Sequence, residues 1–342
     1  MATTPPISPT FRAYQYASFG DPFEVIKLRS DVKQVPLQPH EVRIQVVSAA
    51  LNPVDYKLIE QSRDAQVGRK PSPEAPFTVG FDLAGGVVEI GASVADLKPG
   101  NEVYAMTPFT KFGTFAEYTV VDEEYVALKP HSLSFDEAAG VPLVALTSFQ
   151  ALFEHAKLKR DERVLILGGS SATGMYAIQL AKAVGAYVIT TTSFRNLVFV
   201  ESLDADQVID YTKENWGDVL EPHSVDVIYD CGMEPNAWNQ DAQQVLKKET
   251  GRFVSLLPMN NHPEESKFGA KNLGQIMVHP TAAHLRVITK LIHEKLLVTP
   301  IDSVFAFEDL FDAMRKLKTG RACGKIILHV SNPPRTTTTT TQ

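Results

Sequence analysis

Residues 168–174 read Gly-Gly-Ser-Ser-Ala-Thr-Gly, directly after the apolar run RVLIL at 163–167. They precede a stretch with Met175, Ile178, Ala181 and Val184 at helical spacing, and Gly185 stands where the helix cap belongs. A strand that enters a glycine turn and leaves as a helix aims backbone N–H groups at a pyrophosphate. Gly168 permits the tight turn and Gly174 lets the helix pack closely, with Gly169, Ser170, Ser171, Ala172 and Thr173 completing the cradle. The pattern predicts a dinucleotide site. NAD binders place an Asp or Glu at the end of the next strand, on the ribose hydroxyls. Here that stretch reads TTTSFRN from residue 190, with no carboxylate before Glu201. Ser193, Arg195 and Asn196 instead offer donors and one fixed positive charge, which suit a 2′-phosphate. NADPH is the expected cofactor.

The elements that must hold this turn alternate in type. A strand at 186–191 is followed by a helix near 197–203, strands at 207–210 and 225–230, a helix near 238–246 and a strand at 252–257. Continuous apolar strands alternating with helices predict a doubly wound parallel sheet. Before it, short strands at 41–50, 82–90 (with a glycine pair), 102–106 and 115–121 suggest a small barrel or sandwich. After residue 280 come helices at 285–292 and 310–317 and a final strand at 325–330, returned to the first domain. The expected division is 11–136 with 281–330, and 137–280. Residues 1–10 and the threonine-rich 331–342 read as disordered tails.

Composition removes several function classes. The formal charge of −7 argues against nucleic acid or an anionic membrane as partner. Two cysteines, Cys231 and Cys323, make neither a disulfide framework nor a four-ligand zinc site. No apolar run approaches a membrane span, and the first residues lack a secretory pattern, so the cytosol is the expected compartment.

Segments LNPVDYK (51–57), PFTVGFDLAGGVVEIGASVADLKPGNEVYA (76–105), GTFAEYTVV (113–121), AAGVPLVALTS (138–148), the glycine turn with its helix, and GRACGKIIL (320–328) occur in order. Together the chain resembles the medium-chain dehydrogenase/reductase superfamily, and within it the zinc-free, zeta-crystallin-like quinone oxidoreductases and enone reductases. The resemblance implies an α/β architecture, a GroES-like β-barrel domain plus a doubly wound Rossmann domain, and a homodimer. Zinc alcohol dehydrogenases of this superfamily carry a cysteine and a histidine where Asn52 and Phe81 stand here. No metal is expected. Without a Lewis acid, hydride donation to an electron-poor acceptor is favoured over alcohol oxidation.

By the same resemblance, Asn52 and Thr147 flank the nicotinamide, and Lys57 faces that cavity to meet the ribose or a substrate carbonyl. Tyr56 is a candidate proton donor, and Asp55 a partner that holds the loop. Tyr211 lies against the adenosine phosphate, which Arg321 reaches from the other domain. Tyr104, Phe109 and Phe112 are expected around a planar small-molecule substrate, while Phe115 suits core or cleft equally. The implied reaction is zinc-independent hydride transfer from NADPH to a quinone or α,β-unsaturated carbonyl. Ser171 and Ala172 replace the family's usual inner glycines, a variant similar to enoyl reductases acting in trans beside polyketide synthases. That activity, and a non-catalytic crystallin-like role binding NADPH for stability, are the alternatives.

Overall fold

The structure is a computed structural model describing residues 7–62, 68–110, 113–256 and 263–333. The strands run β1 (Thr10–Tyr16), β2 (Ile26–Lys33), β3 (Glu41–Leu51), β4 (Phe77–Thr78), β5 (Asp82–Ile90), β6 (Glu102–Met106), β7 (Tyr118–Asp122) and β8 (Val126–Leu128). They continue as β9 (Arg163–Leu167), β10 (Tyr187–Thr192), β11 (Gln207–Asp210), β12 (Val227–Asp230), β13 (Arg252–Ser255), β14 (Lys271–Gln275), β15 (Ile301–Ala306) and β16 (Lys325–His329). Two compact units result, one of residues 1–143, 280–289 and 299–342, the other of 144–279 and 290–298.

In the first unit a seven-stranded sheet runs β15-β16-β3-β5-β6-β8, with β7 also on β3, beside a smaller sheet β2-β1-β4. β3 is its spine, buried along almost its whole length, and pairs antiparallel with β5, β7 and β16. Val42, Ile44, Val46, Leu83, Val103, Ile326 and Leu328 form the core. The glycine pair in β5 is a close crossing: a Cβ on Gly85 would lie 2.1 Å from the Gln45 carbonyl oxygen. The final strand, β16, returns to this unit.

The second unit is a six-stranded, all-parallel sheet in the order β11-β10-β9-β12-β13-β14. Strand order reverses between β9 and β12, which opens a crevice at their carboxyl ends. β12 and all but the first residue of β9 are buried, as apolar strands covered on two faces should be.

The differences from expectation lie at edges. The second unit starts at Val144, and residues 290–298 join it. The helix expected near 238–246 is a wide turn, Trp238–Ala242, that tightens only over Gln243–Val245. Edge strands β14 and β15 were not expected: β14 reads KNLGQ, with little apolar character, and both are only partly buried. Thr10 opens β1, and Ser331 donates to Val46 and Val47 carbonyls, so these two residues belong to the first unit and not to a tail. Residues 1–6 and 334–342 lie outside the described residues. Among those described, no helix is long and apolar enough to cross a membrane.

Candidate active site

The glycine turn sits at the crevice where the parallel sheet reverses order. Gly168 adopts φ +83°, and a Cβ there would fall 2.6 Å from Gly232 Cα, because the ends of β9 and β12 converge. A Cβ on Gly174 would lie 2.2 Å from the Gly168 carbonyl oxygen and 2.8 Å from Gly169 Cα, backbone atoms that cannot swing aside. The Gly168 and Gly169 N–H groups donate to Thr191 Oγ1 (3.0 Å) and Thr191 O (2.9 Å), pinning the turn to β10. Ser171 caps the Ala172–Val184 helix by accepting from Gly174 N–H at 2.9 Å, and Gly185 ends it at φ +86°. Ser170, Ser171, Ala172 and Thr173 are half-buried around the helix's positive end. This backbone fits a dinucleotide pyrophosphate.

The end of β10 carries no carboxylate. Ser193 opens a short turn, Phe194–Asn196, and accepts through its carbonyl from Asn196 N–H at 2.9 Å. Arg195 is exposed on that turn. Tyr211, just beyond β11, donates its N–H to Thr192 O at 3.0 Å and is 56% exposed, an open aromatic face beside β10. Lys213, which sequence reasoning passed over, holds its ammonium 4.7 Å from the Phe194 ring centre and 3.8 Å from Asp210 Oδ2. Thr147 is buried in the Pro142–Phe149 helix. Cys231 packs under the turn, its Sγ 3.0 Å from Leu167 O, and burial pushes its thiol up, which disfavours the reactive thiolate.

In the first unit, Asn52 precedes the helix Pro53–Glu60, which buries Asp55, Leu58 and Ile59 at helical spacing. Tyr56 and Lys57 lie on the less buried side. Burial raises the Tyr56 hydroxyl, whose ring lies 4.8 Å from the Lys318 ammonium. Lys318 in turn pairs with Glu60 at the end of the helix. Asn52 is 1% exposed, and its amide is bonded at both ends: Nδ2 donates to Asp82 Oδ2 at 2.9 Å, and Oδ1 accepts from Lys325 Nζ at 2.7 Å. Asp82 also accepts from Leu143 N–H at 2.8 Å. Burial pushes the Asp82 carboxyl up and the Lys325 ammonium down, and each charge pulls the other back. Neither residue was singled out from the sequence. The available signal was a charged residue opening an otherwise apolar strand, in DLAGG and in KIILH.

Tyr104 is a correction. It is wholly buried, and its hydroxyl is tied to Leu285 O and Thr289 Oγ1, both at 2.8 Å, so it belongs to the core and not to a substrate wall. Phe115 is core as well. Phe109 is half-buried and packs edge-on against Phe81, with centroids 4.9 Å apart. Phe112 lies outside the described residues. Arg321 is exposed after the Leu310–Lys318 helix and donates its N–H to Thr319 Oγ1.

Comparison with known proteins is consistent with this geometry. Residues 38–131 match the alcohol dehydrogenase GroES-like domain, and residues 203–328 the zinc-binding dehydrogenase family. A 2-methylene-furan-3-one reductase of Solanum lycopersicum is 35% identical over 340 residues, 96% of this chain and 81% of the relative. The chain belongs to the medium-chain dehydrogenase/reductase superfamily. Within it the chain stands in the quinone oxidoreductase branch, and it is an oxidoreductase that uses a nicotinamide cofactor. An NADPH-dependent alkenal/one oxidoreductase of Arabidopsis thaliana, named as chloroplastic, is also 35% identical, over 93% of this chain and 79% of its own. The solved quinone oxidoreductase from Coxiella burnetii superposes with a TM-score of 0.81 at 30% identity, over 94% of this chain and all of that one.

The residues present do not suit the superfamily's catalytic zinc. Asn52 offers an amide already bonded to an ammonium, and Phe81 offers a hydrocarbon ring. A dication beside Lys325 would meet like charge and too few donors, so this donor set does not fit zinc.

Proposed function

We propose that this oxidoreductase reduces a quinone or an α,β-unsaturated carbonyl with NADPH, without zinc. The observation that carries the reading is the Asn52 site, where the side chain at the place of the superfamily's zinc-binding cysteine is an amide bonded to the Lys325 ammonium. The nicotinamide, when bound, supplies the hydride. The chain's own residues supply the rest. The glycine turn and Ser171-capped helix bind the pyrophosphate, and Ser193, Arg195 and Tyr211 hold the 2′-phosphate, which favours NADPH over NADH. Lys57 places positive charge where negative charge develops on the acceptor oxygen. Tyr56 or solvent delivers the proton, and Asn52 and Thr147 orient the ring. The relatives' names, an alkenal/one oxidoreductase among them, support the acceptor class.

A homodimer is part of this reading, since β14 ends its sheet with one edge paired to β13 alone. The two free cysteines suit a reducing compartment, and the cytosol is the compartment proposed. The test is NADPH consumption with a quinone, a short enone and an enoyl thioester run in parallel. Turnover of the first two supports the proposal. Turnover of the thioester alone favours a trans-acting enoyl reductase, and turnover of none leaves a nucleotide-binding protein without this activity.

A further inference from the structure

Four polar side chains beneath the start of the Pro53–Glu60 helix form a buried cluster, of which only Asn52 has a part in the proposed reduction. Asn52, Asp55, Asp82 and Lys325 are each no more than 3% exposed. Asp82 is the first residue of β5 and Lys325 the first of β16, so three separate elements meet at Asn52. Lys325 Nζ donates to Asn52 Oδ1 at 2.7 Å and lies 3.4 Å from Asp82 Oδ2, the atom that also accepts from Asn52 Nδ2 at 2.9 Å. Charge fixes the amide's orientation, because only its oxygen can face the ammonium and only its nitrogen the carboxylate. The Asn52 N–H donates to Asp55 Oδ2 at 2.6 Å, whereas Asp55 Oδ1 is buried with no partner. There is little slack around the lysine: a Cβ on Gly140 would fall 3.2 Å from Lys325 Cγ.

Buried ion pairs are poor sources of net stability, since apolar side chains of equal volume do as well. What this pair does is geometric. It ties the last strand to the residue immediately before Pro53, and so sets the direction in which the helix leaves. We propose that Lys325 is a positioning residue of the reductase: its ammonium, shared between Asn52 and Asp82, fixes the start of the Pro53–Glu60 helix and with it Tyr56 and Lys57. The proposal rests on the reading that this helix takes part in the reduction.

Lys325→Met leaves a buried carboxylate without its cation, and both Tm and kcat should fall. Asp82→Asn/Lys325→Met removes both charges, so Tm should recover to near the wild-type value. Under the proposal kcat for a short enone stays at least about tenfold low in the double variant, while the NADPH Kd remains within about threefold of wild type. Recovery of kcat together with Tm would overturn it, because a role confined to stability predicts that result. Should either Met variant fail to fold, Lys325→Gln keeps an amide donor in place of the ammonium. Its backbone amides at Asn52 and along residues 55–61 should exchange at least about tenfold faster, with those of β9 and β12 unchanged. Unaltered exchange in the helix would overturn the proposal. Exchange needs no turnover, so a wild-type enzyme inert toward quinone and enone refutes the proposed function without touching this result.

Discussion

Replacing Arg195 with alanine should separate the two nicotinamide cofactors. Its guanidinium is exposed on the turn after β10, and the Asp210 carboxylate beside that turn accepts from the Thr212 hydroxyl. A hydrogen bond to a charged partner contributes about 1.5–3 kcal/mol, and exposure places this one at the low end. About 1.4 kcal/mol corresponds to tenfold in Kd. Arg195→Ala should therefore weaken NADPH binding about tenfold and leave NADH binding within about twofold. Lys213 adds a second cation at the same turn, but Asp210 Oδ2 lies 3.8 Å from it, so Lys213→Ala should cost less, about threefold. Titration of nucleotide fluorescence at low and high salt is the assay. Raising ionic strength should erode the wild-type preference for NADPH and hardly affect that of the Arg195 variant. Equal wild-type affinities for the two nucleotides, or an equal loss of both in the variant, would refute the assignment of this turn to the 2′-phosphate.

Two other perturbations read different parts of the molecule. Lys57→Ala should lower kcat/KM for an enone by about one to three powers of ten, within the roughly 2–4 kcal/mol of a preorganised contact, and a quinone should suffer less. Tm should be unchanged, because Lys57 is only half-buried; wild-type rates with both acceptors would make it a bystander. Asp230, at the end of β12, has its carboxyl pushed up to about 6 by burial, against the pull of Glu234 N–H and the Ser255 hydroxyl. The native state then holds this proton where the unfolded chain has released it, so stability from this group is lost as pH rises from about 4 to about 6 and is level above that. Asp230→Asn should raise Tm more at pH 8 than at pH 4.5, by an amount worth about 2–3 kcal/mol. Parallel Tm profiles for variant and wild type would show that Asp230 does not titrate in that window.

The parallel sheet could be read in the sequence because its central strands are buried on both faces and therefore apolar throughout, as in RVLIL and VIYD. The glycine turn was readable for a steric reason, since Gly168, Gly169 and Gly174 each occupy a place that a Cβ would fill. Edge strands gave no such signal. β14 reads KNLGQ and is held by backbone bonds to one neighbour. Tyr104 misled because a tyrosine in EVYAM suits a cleft wall as well as a core, and only the segment that follows residue 280 decides between them. The Asn52–Lys325 bond joins residues 273 apart, and lysine is almost never fully buried, so neither spacing nor composition could suggest it.

The central claim, reduction of an enone or quinone by NADPH without zinc, is tested most directly by turnover of protein dialysed against a strong chelator. Elemental analysis before and after should find well under one zinc per chain. NADPH consumption should match that of untreated enzyme, because Phe81 offers no ligand atom and the Asn52 amide is already bonded to the Lys325 ammonium. Activity that disappears with a stoichiometric zinc and returns when zinc is restored would contradict the account.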